Sequence, residues 1–188
     1  MVYSLPKLIS FLLFFLGLAS AKCHTFSRTI SPSVLGLDQQ ELNHLNFYFH
    51  DIISGQNPTA VRVAEAPITN TSPTHFGAVM MADGPLTAEP ELSSKIVGSA
   101  QGIYGSASQS ELSFLMVLNF AFTEGEYNGS SLSVLGRNPL SSTVREMPIV
   151  GGSGLFRFAR GYAEARTHAI DFKTGNAIEE FNVYVFHY

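Results

Sequence analysis

The chain has 188 residues, of which 45% are hydrophobic, 12% aromatic and only 14% charged, with a formal net charge of −4. That balance excludes a disordered chain, and 11 Lys and Arg against 15 Asp and Glu leave no basic surplus for nucleic-acid phosphates. A single cysteine excludes a disulfide scaffold and a multi-cysteine metal site, while 15 Phe, 7 Tyr and 16 Gly point to one β-rich domain.

Residues 1–21 read as a secretory signal peptide. Lys7 closes a short basic segment, Leu8 to Leu18 forms the apolar stretch, and Ala19-Ser20-Ala21 offers the small-x-small pattern that signal peptidase accepts. The apolar stretch is well short of the ~20 residues that a membrane span requires. The expectation is therefore a secreted, extracellular protein with no membrane span. Two glycosylation sequons, Asn70-Thr71-Ser72 and Asn128-Gly129-Ser130, stand in turn-like surroundings and fit that compartment. Cys23 would lie near the new N-terminus without a partner. Residues 22–44, of mixed polarity, read as a loose N-terminal arm.

From residue 45 to 188 the chain reads as one all-β domain. Period-two patterns over Leu45–Ile53, Val61–Ala66, Phe76–Ala82, Ile96–Tyr104, Leu112–Thr123, Leu132–Leu135, Thr143–Val150, Leu155–Arg166 and Phe181–His187 alternate with Gly, Pro, Asn and Ser clusters. Short connections and no sustained amphipathic helix predict an antiparallel sandwich or closed barrel. In Leu112–Phe122 every even position is apolar, and Leu115, Val117 and Ala121 make the other face largely apolar too. Both faces then need cover, and with no helix to supply it the outer cover is expected from a second copy of the chain.

Alternation in Leu45–Ile53 sets Asp51 on the face of Leu45, Phe47 and Phe49. Either the carboxyl enters an apolar interior, where desolvation makes it a proton donor near neutral pH, or it ends the strand and caps a turn toward Ser54-Gly55. Arg145 is either a buried counter-ion or a partner of Glu146, and Tyr104 either offers a phenol to a pocket or packs in the barrel wall. His44, His50 and Asp51 make a poor metal site, because neighbouring residues of a strand face opposite sides. Gly151-Gly152-Ser153-Gly154 leads into Leu155-Phe156-Arg157-Phe158, a strand rather than a helix, and so reads as a hairpin turn instead of a phosphate loop.

The segment Phe47-Tyr48-Phe49-His50-Asp51-Ile52 resembles a signature of the plant dirigent proteins. Ala100-Gln101-Gly102-Ile103-Tyr104, Val144 to Gly154 and Phe156 to Tyr162 follow in that family's order, so the resemblance runs from about Leu45 to the C-terminus. It implies an eight-stranded antiparallel barrel of the allene-oxide-cyclase-like kind, assembled as a homotrimer with one pocket per barrel. It implies binding of phenolic small molecules, with phenoxy radicals made by a separate laccase or peroxidase and no cofactor or metal of the protein's own. By the same resemblance, Asp51, Tyr104 and Arg145 carry the chemistry, and Phe49, Asn138 and Thr167 contact substrate. Lignan-forming members have an aspartate where this chain has Asn138, and a cysteine pair that Cys23 cannot complete. Both departures weigh against pinoresinol-type coupling. Leu35-Gly36-Leu37, Phe122 to Glu126, Leu135 to Asn138 and Val183 to Tyr188 resemble the branch that includes legume pterocarpan synthases. That branch's reaction, dehydration of a hydroxylated isoflavan and ring closure through a quinone methide, is the alternative activity.

Overall fold

A computed structural model describes residues 27–188. The predicted signal segment and Cys23 lie outside the described residues. Residues up to Leu35 form a unit of their own, whose described part holds one 3-10 turn at Pro32–Leu35. The second unit, from Gly36 onward, carries nine strands: β1 (Glu41–Asp51), β2 (Ala60–Ala64), β3 (Val79–Thr87), β4 (Ile96–Ser106), β5 (Ser113–Phe122), β6 (Ser131–Pro139), β7 (Arg145–Ser153), β8 (Arg160–Ile170) and β9 (Ala177–His187). The ladders are antiparallel in the order β1-β9-β8-β7-β6-β5-β4-β3-β2, and a further β1–β3 pairing, Tyr48↔Thr87 and Phe49↔Leu86, closes the ring. Eight strands thus form a barrel, and β2 pairs with the first half of β3 at its rim.

Several boundaries differ from the sequence expectation, each for a local reason. Strand β1 starts at Glu41 rather than Leu45, because β9 continues to His187 and pairs with β1 from Glu41 onward. The N-terminal arm is correspondingly shorter than residues 22–44. Asp83-Gly84-Pro85 has the composition of a turn yet lies inside β3, where Gly84↔Ala100 and Pro85↔Ser99 continue the ladder with β4. The stretch from Leu155 is not yet strand: a 3-10 turn at Gly154–Phe156 separates β7 from β8.

The barrel is filled from its inner face. Even residues of β3, β4, β5 and β6 and odd residues of β1, β7, β8 and β9 point inward, as the pleat dictates. Phe47, Phe120 and Phe181 meet at the centre with ring centroids 5.0 to 5.9 Å apart, two contacts edge-on and one stacked. Such pairs contribute about 0.5–1.5 kcal/mol each beyond their burial. Phe122, Tyr127, Phe156 and His187 pack on one another at one end. The other end, where β1, β4, β6 and β8 finish and β5, β7 and β9 begin, carries the polar side chains.

The closure has little room. A Cβ at Gly84 would stand 2.6 Å from the His50 carbonyl oxygen and 2.6 Å from Phe49 Cε2, where β1 crosses β3. Gly84→Ala is expected to destabilise the barrel by about 1–3 kcal/mol, because backbone as well as side chain would have to shift. Denaturant unfolding checks this; an unchanged midpoint would show that the β1–β3 crossing tolerates separation.

Candidate functional site

The polar end is assembled by the alternation that fills the core. Asp51 is the last residue of β1 and shares the inner face with Phe47 and Phe49. Its carboxylate accepts the Tyr104 hydroxyl at 2.8 Å through Oδ2 and 3.1 Å through Oδ1. Of the two readings open for Asp51 the inward one holds, and the turn after β1 is secured instead by Asn176, which accepts from the backbone of Ile53 and Ser54. Burial pushes the Asp51 carboxyl up to about 6; the Tyr104 hydrogen bond opposes the shift and the negative charge of Glu179 adds to it. Tyr104 is 5% exposed, and burial followed by the Asp51 charge pushes its phenol up from the ordinary value, so it remains a donor.

Across the opening, Arg145 at the start of β7 is 3% exposed. It pairs with Glu179 of β9 rather than with Glu146, and its Nη1 donates to Thr167 Oγ1 at 2.9 Å. The Thr167 hydroxyl lies 3.1 and 3.3 Å from the two Glu179 oxygens. Burial raises the Glu179 carboxyl, against the pull of the Arg145 charge and the Thr167 hydrogen bond. A buried ion pair contributes little net stability, but deleting one partner costs about 3–5 kcal/mol. Its value here is positional: it fixes a cation and an anion at the rim of an apolar tube.

Two buried polar atoms in this region lack partners among the described residues, Arg145 Nε and Asn138 Oδ1. The ladder between β6 and β7 joins Ser131–Val134 to Ile149–Ser153. Beyond it, a Cβ at Gly136 would meet Met147 at 2.8 Å, so Asn138 and Arg145, two residues further along each strand, are opposed. An open donor and an open acceptor suit a hydroxyl, which both accepts and donates, and each unpaired buried group costs about 1–3 kcal/mol until it is met.

Of the residues expected to carry the site, Asp51, Tyr104, Arg145, Asn138 and Thr167 converge on this end. Phe49 is 2% exposed and belongs to the packed wall one step deeper, paired across the ladder with Glu179. Glu179 was missed because the last strand was read from Phe181. The signal was present: two adjacent acids before Phe181, Val183 and Val185 must take opposite faces, and Glu179 falls on the apolar one. His50 takes the outer face, where its Nε2 meets Thr87 Oγ1 at 2.8 Å, away from Asp51. A separate cavity of about 260 Å³ on that outer side is lined by Ile52, Leu92, Ile170 and Ile178 together with His50, Asp171 and Asn176; Asp51 and Arg145 do not line it. Asn70 and Asn128 both lie exposed in turns.

The Asp51 shift fixes a sign for stability. A carboxyl whose folded value is about 6 holds its proton more tightly in the native state than in the unfolded chain, where it titrates near 4. Stability from this group is therefore full below pH 4 and is lost as pH rises to about 6. Asp51→Asn keeps the shape and the Tyr104 hydrogen bond while removing that loss. The variant is expected to be more stable than wild type by about 2–3 kcal/mol at pH 7.5 and equal to it at pH 3.5. Denaturant unfolding at the two pH values checks this; a wild type more stable at pH 7.5 would contradict a buried anion at Asp51.

Comparison with known proteins agrees with this architecture. A family profile described as dirigent-like protein matches residues 42–186. Pterocarpan synthase 1 of Glycyrrhiza echinata is 50% identical over 172 residues, covering 91% of this chain and 92% of that protein. Dirigent protein 21 of Arabidopsis thaliana is 47% identical over 186 residues, covering 99% and 98%. The solved structure of the pterocarpan synthase dirigent protein GePTS1 superposes with a TM-score of 0.79 at 51% identity, covering 86% of this chain and 99% of that one. With its barrel and its sequence in agreement over nearly the whole described length, the chain belongs to the dirigent protein family.

Proposed function

We propose that this protein directs the stereochemistry of phenolic coupling: the barrel mouth binds phenoxy radicals or the quinone methides they form, and presents one face for reaction. The observation that carries the reading is the Asp51–Tyr104 pair at the end of an aromatic barrel. Apolar walls take up aromatic rings, and a carboxyl with a raised pKa offers a proton to a quinone-methide oxygen. Arg145 and Asn138 then orient a phenolic hydroxyl. The contribution is mainly positional: holding two reactive centres in one geometry supplies selectivity without redox chemistry by these residues. The oxidant is a separate laccase or peroxidase.

A second reading has its own support. A carboxyl that titrates near 6 is a competent general acid for a departing hydroxyl, and the similar protein from Glycyrrhiza echinata is a pterocarpan synthase. In that reading the chain is a lyase that dehydrates a hydroxylated isoflavan and closes the ring through a quinone methide.

The outer wall supports assembly. Val61, Met81, Ile103, Val117 and Leu135 are consecutive cross-strand partners over β2 to β6, and together they form an apolar row on the outside. Val61, Met81, Ile103 and Leu135 are exposed in the single chain. Covering that row is the reason to propose a homotrimer, secreted through the 1–21 segment and carrying glycans at Asn70 and Asn128. Ile103→Glu is expected to shift the sedimenting species from trimer to monomer; a wild-type monomer would remove the assembly proposal.

Chiral chromatography separates the two activities. Purified protein is incubated with coniferyl alcohol and a laccase, and separately with a hydroxylated isoflavan and no oxidant. Enantiomeric excess in the first set is the expected result. Pterocarpan in the second set alone would make the protein a dehydrating lyase, and racemic product in the first with none in the second would overturn both.

A further inference from the structure

We propose that Glu179 is the proton acceptor that works against Asp51 as proton donor, so that the mouth closes a quinone methide by a paired acid and base. This rests on the reading of the mouth as a site for quinone-methide chemistry.

The placement follows from register. Phe49 faces Glu179 and Asp51 faces Ala177 across the β1–β9 ladder. Asp51 and Glu179 are therefore diagonal neighbours on the inner face, with Cβ atoms about 7 Å apart. Their surroundings differ in kind. Asp51 has apolar neighbours, which favour its neutral form, and a single neutral donor, Tyr104, which opposes them only in part. At Glu179 the Arg145 guanidinium and the Thr167 hydroxyl stabilise the charged form, against burial, which raises the carboxyl. Burial raises both carboxyls, but Glu179 alone has a cation beside it, and that difference divides the pair into a base and an acid. Glu179 also has room for another donor: Arg145 engages Oε2, while Oε1 meets Thr167 alone, and the side chain is 13% exposed. Among the described residues, Tyr104 from β4 and Arg145 from β7 face the same space, β8 supplies the neutral Thr167, and His50 and Asp171 stand at the outer cavity.

The proton balance fits the chemistry. When a hydroxyl attacks the exocyclic carbon of a quinone methide, a C–O bond forms and the exocyclic π pair moves into the ring. The ring becomes aromatic and its carbonyl oxygen becomes a phenol. The nucleophile's O–H proton passes to Glu179, and the new phenolic proton comes from Asp51. No oxidant is consumed in this step. In the dehydrating reading Asp51 gives its proton to the hydroxyl that departs as water, the substrate's own phenolic proton leaves to solvent as the quinone methide forms and returns on closure, and the attacking phenol gives its proton to Glu179. Either course leaves Asp51 ionised and Glu179 protonated, and one proton returned between them restores the site.

The experiment compares wild type with Glu179→Gln and Glu179→Asp in the two product assays across pH 4 to 8. Asp51 is also titrated in each protein by carboxyl carbon NMR. The expected result is a bell-shaped wild-type profile whose acidic limb reports Glu179. Glu179→Gln should slow ring closure about 100-fold and lose that limb, and Glu179→Asp should recover part of the rate. Removing the neighbouring anion should also lower the Asp51 midpoint from about 6. If Glu179→Gln fails to fold, Arg145→Gln/Glu179→Gln removes both charges, and the same midpoint shift is expected. Closure rate and pH profile unchanged in Glu179→Gln would overturn the proposal and leave Glu179 as a partner of Arg145 only. If wild type converts neither substrate, the functional reading fails, and the titration judges the pair: an unmoved Asp51 midpoint overturns it and a lowered one supports it.

Discussion

A strand that lines a barrel must continue to point every second side chain inward until it leaves the sheet. In β1 that rule sends Phe47, Phe49 and then Asp51 to the same side, so a carboxyl stands where its neighbours are aromatic. Much of the mouth is a response to that placement. The Tyr104 hydroxyl can meet the carboxylate because β4 finishes at the same end and on the same face. One neutral donor is too little to offset the lost hydration, so the proton stays on to about pH 6. A full counter-ion would have erased the acid; the arginine is instead committed to Glu179.

The arrangement costs stability where it provides chemistry. Above pH 6 the folded chain holds an ionised Asp51 in a desolvated place, and the orphaned atoms of Arg145 and Asn138 add to the burden. The packed core beneath the rim offsets it. Phe47, Phe49, Phe120, Phe156 and Phe181 are each at most 2% exposed, and burying one such side chain contributes about 1.5–3 kcal/mol. The division is spatial: a dry aromatic middle, a capped far end at His187, and a polar rim. On the proposed coupling role, a rigid wall beneath the rim would also serve selectivity, since a face can be chosen only if the groups that choose it do not move.

How much of this was legible before the structure follows from what alternation can and cannot carry. It placed Asp51 inward, but the same letters also fit a turn cap, and only the Tyr104 contact and the use of Asn176 at the turn decide between them. The residues alone offered Tyr104 and Arg145 as open choices, and resemblance to the family supplied their roles together with Asn138 and Thr167; the four lie on separate strands and have no local pattern to join them. Glu179 escaped because a strand boundary was drawn at its first aromatic residue, and acids at strand ends are ordinarily taken for solvent. Strand β3 was cut short because Asp-Gly-Pro composition describes a turn, whereas the close approach of β1 demands the glycine there. Partnerships across the ring, such as Arg145 with Glu179 rather than Glu146, depend on contacts distant in sequence.

Directed coupling and dehydrating closure are usually set apart as a binding function and an enzyme, yet at this mouth they ask for the same proton inventory. Each passes through an electrophilic exocyclic carbon, each ends with an aromatic ring, and each needs one proton delivered to an oxygen. What differs is how the electrophile arises: in one case a separate oxidase makes a radical, in the other a hydroxyl leaves the substrate itself. An acid that titrates near 6 serves both, because a quinone-methide oxygen and a departing hydroxyl are alike in needing a proton at the moment charge develops. The distinction must then lie in which ring system the apolar wall accepts and how near it brings the hydroxyl to Asp51. That is a matter of shape around the partly buried Met80 and Phe114, whose ring stands edge-on to Tyr104, more than of the titrating groups.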